Sequence, residues 1–411
     1  MKILVFGGHG KMGQAVAWDL VRRDEVEQVG LAARRRDALE SASAWLASPK
    51  VKLHVVDVDD RAATQALMKQ YDVGVNALPD RRTSYLTIDA AADAGFHLVD
   101  MLEEYHRRPD AYEVEGLVLP KGMTLADYGE SIHVRAQQTG ATLLDGIGFA
   151  PGLSNITTGE GIRKLDVAES AVARVGGIPS KAAAGRHPLR YMITWAFSHV
   201  LREYVIKLNV LKNGRVEEVD ALTDREKFRF TEFGQDEWLE CAVTPGMPSF
   251  IFTRTQLKDF AEKTVRWPTH FDSIDTLKSC GLLGLEPVEV DGVKVVPRAA
   301  LLALIEPRLR AQPGDTDVCV MYNTVFGTKA GQKTKISYYM WDEADPKTGI
   351  SGMGRVTGFP SAIGAVLIGR GLIKETGLVP PEDAIYGDTY RVFMTELERH
   401  NIRIKETIEP M

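Results

Sequence analysis

The chain has 411 residues, 44% of them hydrophobic and 26% charged, with a formal net charge of −6. That length exceeds one ordinary core and predicts two domains. The mildly acidic balance gives no electrostatic reason to expect nucleic acid or an anionic membrane as partner. Three widely spaced cysteines, Cys241, Cys280 and Cys319, lack a Cys-x-x-Cys and fit neither a disulfide framework nor a zinc knuckle, so no metal is expected. The first apolar run stops at Phe6, too short for a secretion signal, and no stretch reaches the roughly 20 apolar residues of a membrane span. The expectation is a cytoplasmic protein.

From the N terminus, strands and helices alternate. Residues 3–6 form an apolar strand that breaks on glycines, and 12–22 have helical spacing with Met12, Val16 and Leu20 on one face. Residues 28–33, 51–56, 73–77 and 97–99 read as further strands. Between them 38–46, 62–68 and 83–94 read as helices, the last stopped by Gly95 as C-cap. This alternation predicts a parallel, doubly wound sheet. Residues 103–122 carry two prolines and no period, and read as an inserted loop. A helix over 125–138 and a sixth strand over 141–144 complete the first unit.

Beyond Pro151 the pattern changes to strand-like alternation at 172–175, 205–211, 228–233, 288–296 and 335–341, mixed with helices. That predicts an α+β second domain on a largely antiparallel sheet. Residues 360–371 read as a helix of small residues, opened by Pro360 and closed by Gly371. The expected organisation is a dinucleotide-binding domain over 1–150, a substrate-binding and dimerisation domain over 151–351, and a tail, 352–395, that returns to the first domain.

The strongest chemical signal is Gly8, Gly10 and Gly13 in Gly-x-Gly-x-x-Gly spacing between the first strand and the first helix. Gly8 is expected to turn the chain out of the strand, Gly10 to let a pyrophosphate touch the backbone, and Gly13 to pack helix on strand. The segment Gly8, His9, Gly10, Lys11, Met12, Gly13 is therefore the phosphate loop of a Rossmann-like unit. An NAD site places a carboxylate at the end of the second strand; this chain reads Ala33-Arg34-Arg35-Arg36. Arg34 and Arg35 suit a 2′-phosphate, so NADP(H) is expected over NAD(H). Later strand ends are expected to complete the site: Asp57 and Val58 at the adenine, Asn76, Ala77, Leu78 and Pro79 under the ribose and diphosphate, and Asp100 toward the nicotinamide.

The junction Asp145-Gly146-Ile147-Gly148-Phe149-Ala150-Pro151-Gly152 has the backbone constraint of a crevice turn. Together with Gly176-Gly177-Ile178-Pro179, the stretch from Lys263 to His270 and Leu367-Ile368-Gly369-Arg370-Gly371, it resembles the saccharopine dehydrogenase family, most of all the lysine 6-dehydrogenase branch. The resemblance implies hydride transfer between nicotinamide and the amine or imine carbon of an amino-acid-like substrate, and a homodimer. It implies a substrate role for Arg266 and His270, which match the Arg and His of the lysine dehydrogenase segment. Asp145 or His270 is expected to move the proton, with Tyr191 and Trp195 beside the substrate. The plainer readings are a turn cap for Asp145 and a packed ring for His270.

Three departures stand out. The arginines replace the acidic residue of the lysine branch. Ala150 stands where saccharopine reductases carry Asp. After Tyr191 and Trp195, the Ser-x-Arg-Gly that would grip a second carboxylate is missing. The inserted loop around Tyr105, His106, Arg107 and Arg108 is expected to supply a different clamp. Two alternatives stay open: a polyamine-adduct reductase of the carboxynorspermidine dehydrogenase type, and a dinucleotide-binding regulatory protein without turnover.

Overall fold

The structure, a computed structural model, describes residues 1–110 and 116–411. Residues 111–115, part of the expected inserted loop, lie outside the described residues. Six short apolar strands form the first sheet: β1 (Lys2–Phe6), β2 (Gln28–Ala33), β3 (Val51–Val55), β4 (Val73–Asn76), β5 (His97–Asp100) and β6 (Thr142–Asp145). A seventh strand, Gly377–Val379, pairs beside β6. All are parallel, in the order β3-β2-β1-β4-β5-β6 and then Gly377–Val379. The order reverses between β1 and β4, where the carboxyl ends of the strands open a crevice. In-register pairing aligns Phe6 with Asn76, Asn76 with Asp100, and Asp100 with Asp145, so these strand ends form one row.

The second sheet has nine strands among the described residues. Its path runs Glu226–Phe230, Glu237–Val243, Asp259–Arg266, Val167–Pro179, Asp317–Lys329, Gln332–Glu343 and Lys405–Pro410. Lys207–Lys212 and Arg215–Asp220 attach at Phe260 as a side hairpin. Every pairing is antiparallel except Asp259–Arg266 with Val167–Pro179. The fold is α/β with a second, mostly antiparallel α+β domain. Among the described residues no helix is long and apolar enough to cross a membrane.

The tail helix, Gly352–Gly369, starts eight residues before the expected proline, which lies inside it. Its real start is set by capping: Ser351 Oγ accepts from Gly354 N–H, and Asp317 accepts from the N–H groups of Gly352 and Met353. The helix joins both domains. Arg355 pairs with Asp342 of the second sheet, and Gly358 packs so closely on the first helix that a Cβ there would lie 2.6 Å from Ala15 Cβ. The last strand, Lys405–Pro410, returns to the second sheet.

Candidate active site

Strand β1 ends at Phe6, and the helix α1 (Lys11–Leu20) begins five residues later. The turn out of the strand is made by Gly7, at φ 72°, and not by Gly8 as the spacing predicts. Gly8 instead makes room for the Leu31 side chain. Gly13 has the expected packing: a Cβ there would lie 2.3 Å from Gly7 O. The start of α1 has no side-chain cap and no acid in its first turn, and among the described residues the N–H groups of Lys11, Met12 and Gly13 have no acceptor. His9 Nδ1 is likewise buried without a partner. An uncapped helix start with free donors is an anion site, so the residues present fit a dinucleotide phosphate.

Two cavities meet at this loop, both lined by His9, Leu78 and Pro79. The smaller, about 220 Å³, is walled by Arg34, Arg35, Asp57 and Val58. Among the described residues Arg34 has no ion-pair partner, whereas Arg35 pairs with Asp37 and Arg36 with Glu40. The larger cavity, about 570 Å³, runs from Gly10, Lys11 and Ala77 to the second sheet, where it meets Thr264 and Arg266. Asn76 and Asp100, expected along the cofactor, line neither cavity; they bond each other beneath the strand ends at 2.6 Å.

Arg266 closes the strand Asp259–Arg266 and is buried. Its Nε donates to Tyr204 Oη at 2.9 Å and Nη1 to Val265 O at 2.9 Å, while the guanidinium lies 5.3 Å from the Tyr191 ring centroid. Tyr191 thus backs Arg266, and Trp195 lines the cavity itself. Lys11 Nζ crosses the cleft and donates to Thr194 O at 3.0 Å.

Three carboxyl groups from three elements also line this cavity: Glu103 from the loop after β5, Glu203 at the end of the helix Phe197–Glu203, and Glu262 from the strand of Arg266. Glu103 and Glu203 hydrogen-bond to each other, which requires a proton on one of them. Glu262 Oε2 accepts from Thr244 Oγ1 at 2.6 Å and from Gly246 N–H at 3.0 Å. Burial pushes Glu203 up to about 7 and Glu262 up to about 8. Burial and the two neighbouring glutamates hold Glu103 well above the carboxylate range. The cavity therefore combines two cations, Lys11 at the phosphate loop and Arg266 at the far end, with Glu203 and Glu262, which gain or lose protons near neutrality. None of the three was found from sequence, because each is a lone acid with no motif around it.

The expected convergence of Asp145, Arg266 and His270 on one cleft is not what the fold builds; of the three, only Arg266 lines the cavity. Asp145 lies beneath it, accepting from His106 Nδ1 at 2.7 Å and His106 N–H at 3.0 Å. His106 reaches Ser84 Oγ at 2.9 Å, and Ser84 donates to Asp100. Burial lowers the affinity of this ring for a proton, but the charges of Asp145, Asp100 and Glu104 more than offset it and raise its pKa to about 9. His106 is thus a buried cation inside the frame, away from the expected clamp, and Arg107 and Arg108 pair with Glu130. His270 is separated from Arg266 because the strand ends at Arg266, the chain turns at Thr269, and His270 opens a helix. Its Nδ1 donates to Leu189 O at 2.9 Å, and Tyr204 Oη lies 3.1 Å from Nε2. Burial and Arg266 lower its pKa to about 3, so the ring is neutral.

Comparison with known proteins bears on the same two halves. Residues 3–126 match the saccharopine dehydrogenase NADP binding domain, and residues 148–402 match the saccharopine dehydrogenase C-terminal domain. Over 410 residues the chain is 22% identical to a carboxyaminopropylagmatine dehydrogenase from Synechocystis sp., covering 93% of this chain and 92% of that protein. The expected leaning toward lysine 6-dehydrogenase is thus replaced by likeness to this protein. Apo saccharopine dehydrogenase (L-Glu forming) from Saccharomyces cerevisiae shares the fold, with TM-score 0.77, 18% identity and 99% coverage of both chains. The chain belongs to the saccharopine dehydrogenase family and is an NAD(P)-dependent oxidoreductase.

Proposed function

We propose that this protein is an NADP(H)-dependent oxidoreductase that moves hydride between nicotinamide C4 and the amine or imine carbon of an amino-acid-like substrate. The carrying observation is one cavity that runs from the uncapped phosphate helix to the buried guanidinium of Arg266. The bound nicotinamide supplies or accepts the hydride. Arg266, held by Tyr204 and Tyr191, binds a substrate carboxylate through charge-assisted hydrogen bonds. Glu203 and Glu262 exchange a proton with the substrate nitrogen, because an acid that titrates near the working pH serves both directions of a C–N reaction. Phe149, Ile193 and Trp195 give the cavity an apolar wall that excludes water.

Arg34, unpaired among the described residues at the adenosine end, supports NADP(H) over NAD(H). Removing it is expected to weaken NADPH by about ten- to a hundredfold, the equivalent of ~1.5–3 kcal/mol for a charged hydrogen bond, and to leave NADH unchanged. Titration of both cofactors against wild type and Arg34→Ala measures this; tighter NADH binding by wild type overturns the preference. A screen of amino acids and polyamines for NADP reduction, with carbonyl acids plus amines in reverse, tests the activity. Absence of hydride transfer to any C–N bond overturns it.

A second reading changes the amine to a polyamine. The name of the Synechocystis relative favours it, and so does a cavity whose far end holds three carboxyl groups against one arginine. A homodimer formed through the second domain belongs to the proposal by analogy. A monomeric mass by light scattering at micromolar concentration overturns it.

A further inference from the structure

We infer that Lys11 is a releasable tie between the two domains. In the free protein its ammonium holds the cavity wall of residues 191–196 through Thr194 O. It leaves that carbonyl for the cofactor diphosphate, so phosphate binding at one end of the cavity loosens the wall around Trp195. The inference rests on the phosphate loop being the cofactor site.

The way the wall is anchored carries it. Ile193, Thr194, Trp195 and Ala196 line the larger cavity as one stretch of main chain, just before the helix Phe197–Glu203. Up to Ile193 this segment is pinned within its own domain: Arg190 donates to Pro268 O, and Ile193 N–H to Leu309 O. Beyond Ile193 that anchoring stops. Among the described residues the N–H groups of Thr194, Trp195 and Ala196 donate to nothing. The hold on Thr194 O comes from Lys11 Nζ, 183 residues away, at 3.0 Å. Without that ammonium, the half-buried Trp195 rides on main chain that only its flanks support.

Lys11 is placed to answer to phosphate as well. It opens α1, and its own N–H is one of the donors without an acceptor, while its side chain reaches the other domain. The side chain is exposed and, among the described residues, has no ion-pair partner. An ammonium has three donors, and one is committed here. A phosphate oxygen holds it more strongly than a neutral carbonyl does, because charge on both partners strengthens the bond. The start of α1 attracts the same anion. A bound diphosphate thus favours the arrangement in which Lys11 has left Thr194 O, and a difference in contacts of this kind is what a shift between two states requires. The released carbonyl then accepts from water. A second link between the domains is of another kind: Arg355 on the helix Gly352–Gly369 grips Asp342 with two bonds, at 2.8 and 3.0 Å, and both residues are buried. The Lys11 tie can open while this one holds the cleft together.

The test is acrylamide quenching of Trp195 fluorescence, taken as the difference between the protein and its Trp195→Phe counterpart. It is measured on the free protein and with 2′-phospho-ADP-ribose, which carries the diphosphate without a nicotinamide. For wild type, 2′-phospho-ADP-ribose is expected to raise the Trp195 quenching constant roughly two- to threefold. Lys11→Met should show the raised value with no ligand and no further rise with it. Lys11→Arg, which keeps a charged donor, should restore part of the ligand response. Adenosine 2′-monophosphate, which lacks the diphosphate, should leave Trp195 as it is in the free protein. If Lys11→Met fails to fold, Lys11→Ala carries the same expectation. Equal quenching of free wild type and free Lys11→Met overturns the tie, and so does an equal rise with adenosine 2′-monophosphate. Binding of 2′-phospho-ADP-ribose by calorimetry with no change at Trp195 overturns it too, and leaves the oxidoreductase reading standing. No binding of 2′-phospho-ADP-ribose by wild type sinks the cofactor site itself, and the tie with it.

Discussion

Two groups of buried acids meet at the loop after β5 and have opposite surroundings. Asp100 and Asp145 close around His106, whose ring and backbone N–H are both held by Asp145. Asn76 and Ser84 satisfy Asp100 from the other side. Glu103, Glu203 and Glu262 face a cavity and have no cation paired to them among the described residues. The first group is a finished ionic network, and its role is to fix the loop that follows β5. The second is unfinished. Since Glu103 and His106 sit on the same loop, the closed network sets the position of the open one. Burial alone does not mark a functional acid; burial with an unpartnered oxygen and a path to solvent does.

The largest expected effect breaks the closed network. Asp145→Ala leaves a buried imidazolium without its partner and should cost about 3–5 kcal/mol of stability, read as a lower denaturant midpoint at pH 7. An unchanged midpoint would mean that the two acid groups do not differ as described. The same network has a pH signature. The His106 pKa is raised in the folded protein to about 9 from an ordinary value near 6.5. Its stabilisation is therefore fully present below about pH 6.5 and lost as pH rises through about 9, so wild type should lose stability over that window and Asp145→Ala should not.

Next in size, Arg266→Ala removes the one guanidinium of the open region that the cavity reaches. It is expected to lower kcat/KM by about 30- to 100-fold on a carboxylated substrate, mostly through KM, the equivalent of ~2–3 kcal/mol. A matching loss on a substrate without a carboxylate would point to misfolding instead of lost recognition.

The smallest effect on catalysis is expected at His270. The ring is neutral, packed and bonded to Leu189 O, outside both regions of the comparison. His270→Ala should leave kcat within a few-fold while costing about 1–3 kcal/mol of stability through the unpaired Leu189 carbonyl. A kcat loss of a hundredfold, or a pH limb near 6.5 that the variant abolishes, would return His270 to the chemistry.

The parts of the site legible in the sequence are those whose signal is contiguous. Gly10, Lys11 and Met12 line the cavity because a strand, a glycine turn and a helix follow one another directly. Even there the tight turn fell one residue earlier, at Gly7, since several glycines in a row leave spacing unable to say which takes the positive φ. Leu78 and Pro79 follow from the rule that ligands lie at the carboxyl ends of parallel strands, and so do Asp57 and Val58. The same rule placed Asp100 at the ligand, and the junction turn placed Asp145 there, but neither foresees that in-register ends put both on one row, where Asp145 bonds His106 and Asp100 bonds Ser84 and Asn76 before a ligand can reach them.

By itself the sequence determined the alternation of strands and helices, the phosphate loop, the missing carboxylate after β2 and the switch to a second, largely antiparallel domain. These are statements about neighbours along the chain, and backbone geometry and hydrophobic periodicity act at that range. Only the tertiary structure decided which acids meet. Glu103, Glu203 and Glu262 come from a loop, a helix end and a strand, and they converge because the two sheets and the helix Gly352–Gly369 pack around one cleft. The tertiary structure likewise separated Arg266 from His270 by ending a strand between them and turning the chain at Thr269. The physical reason is the same in both cases: protonation and charge pairing depend on distance through space, which spacing along the chain does not encode.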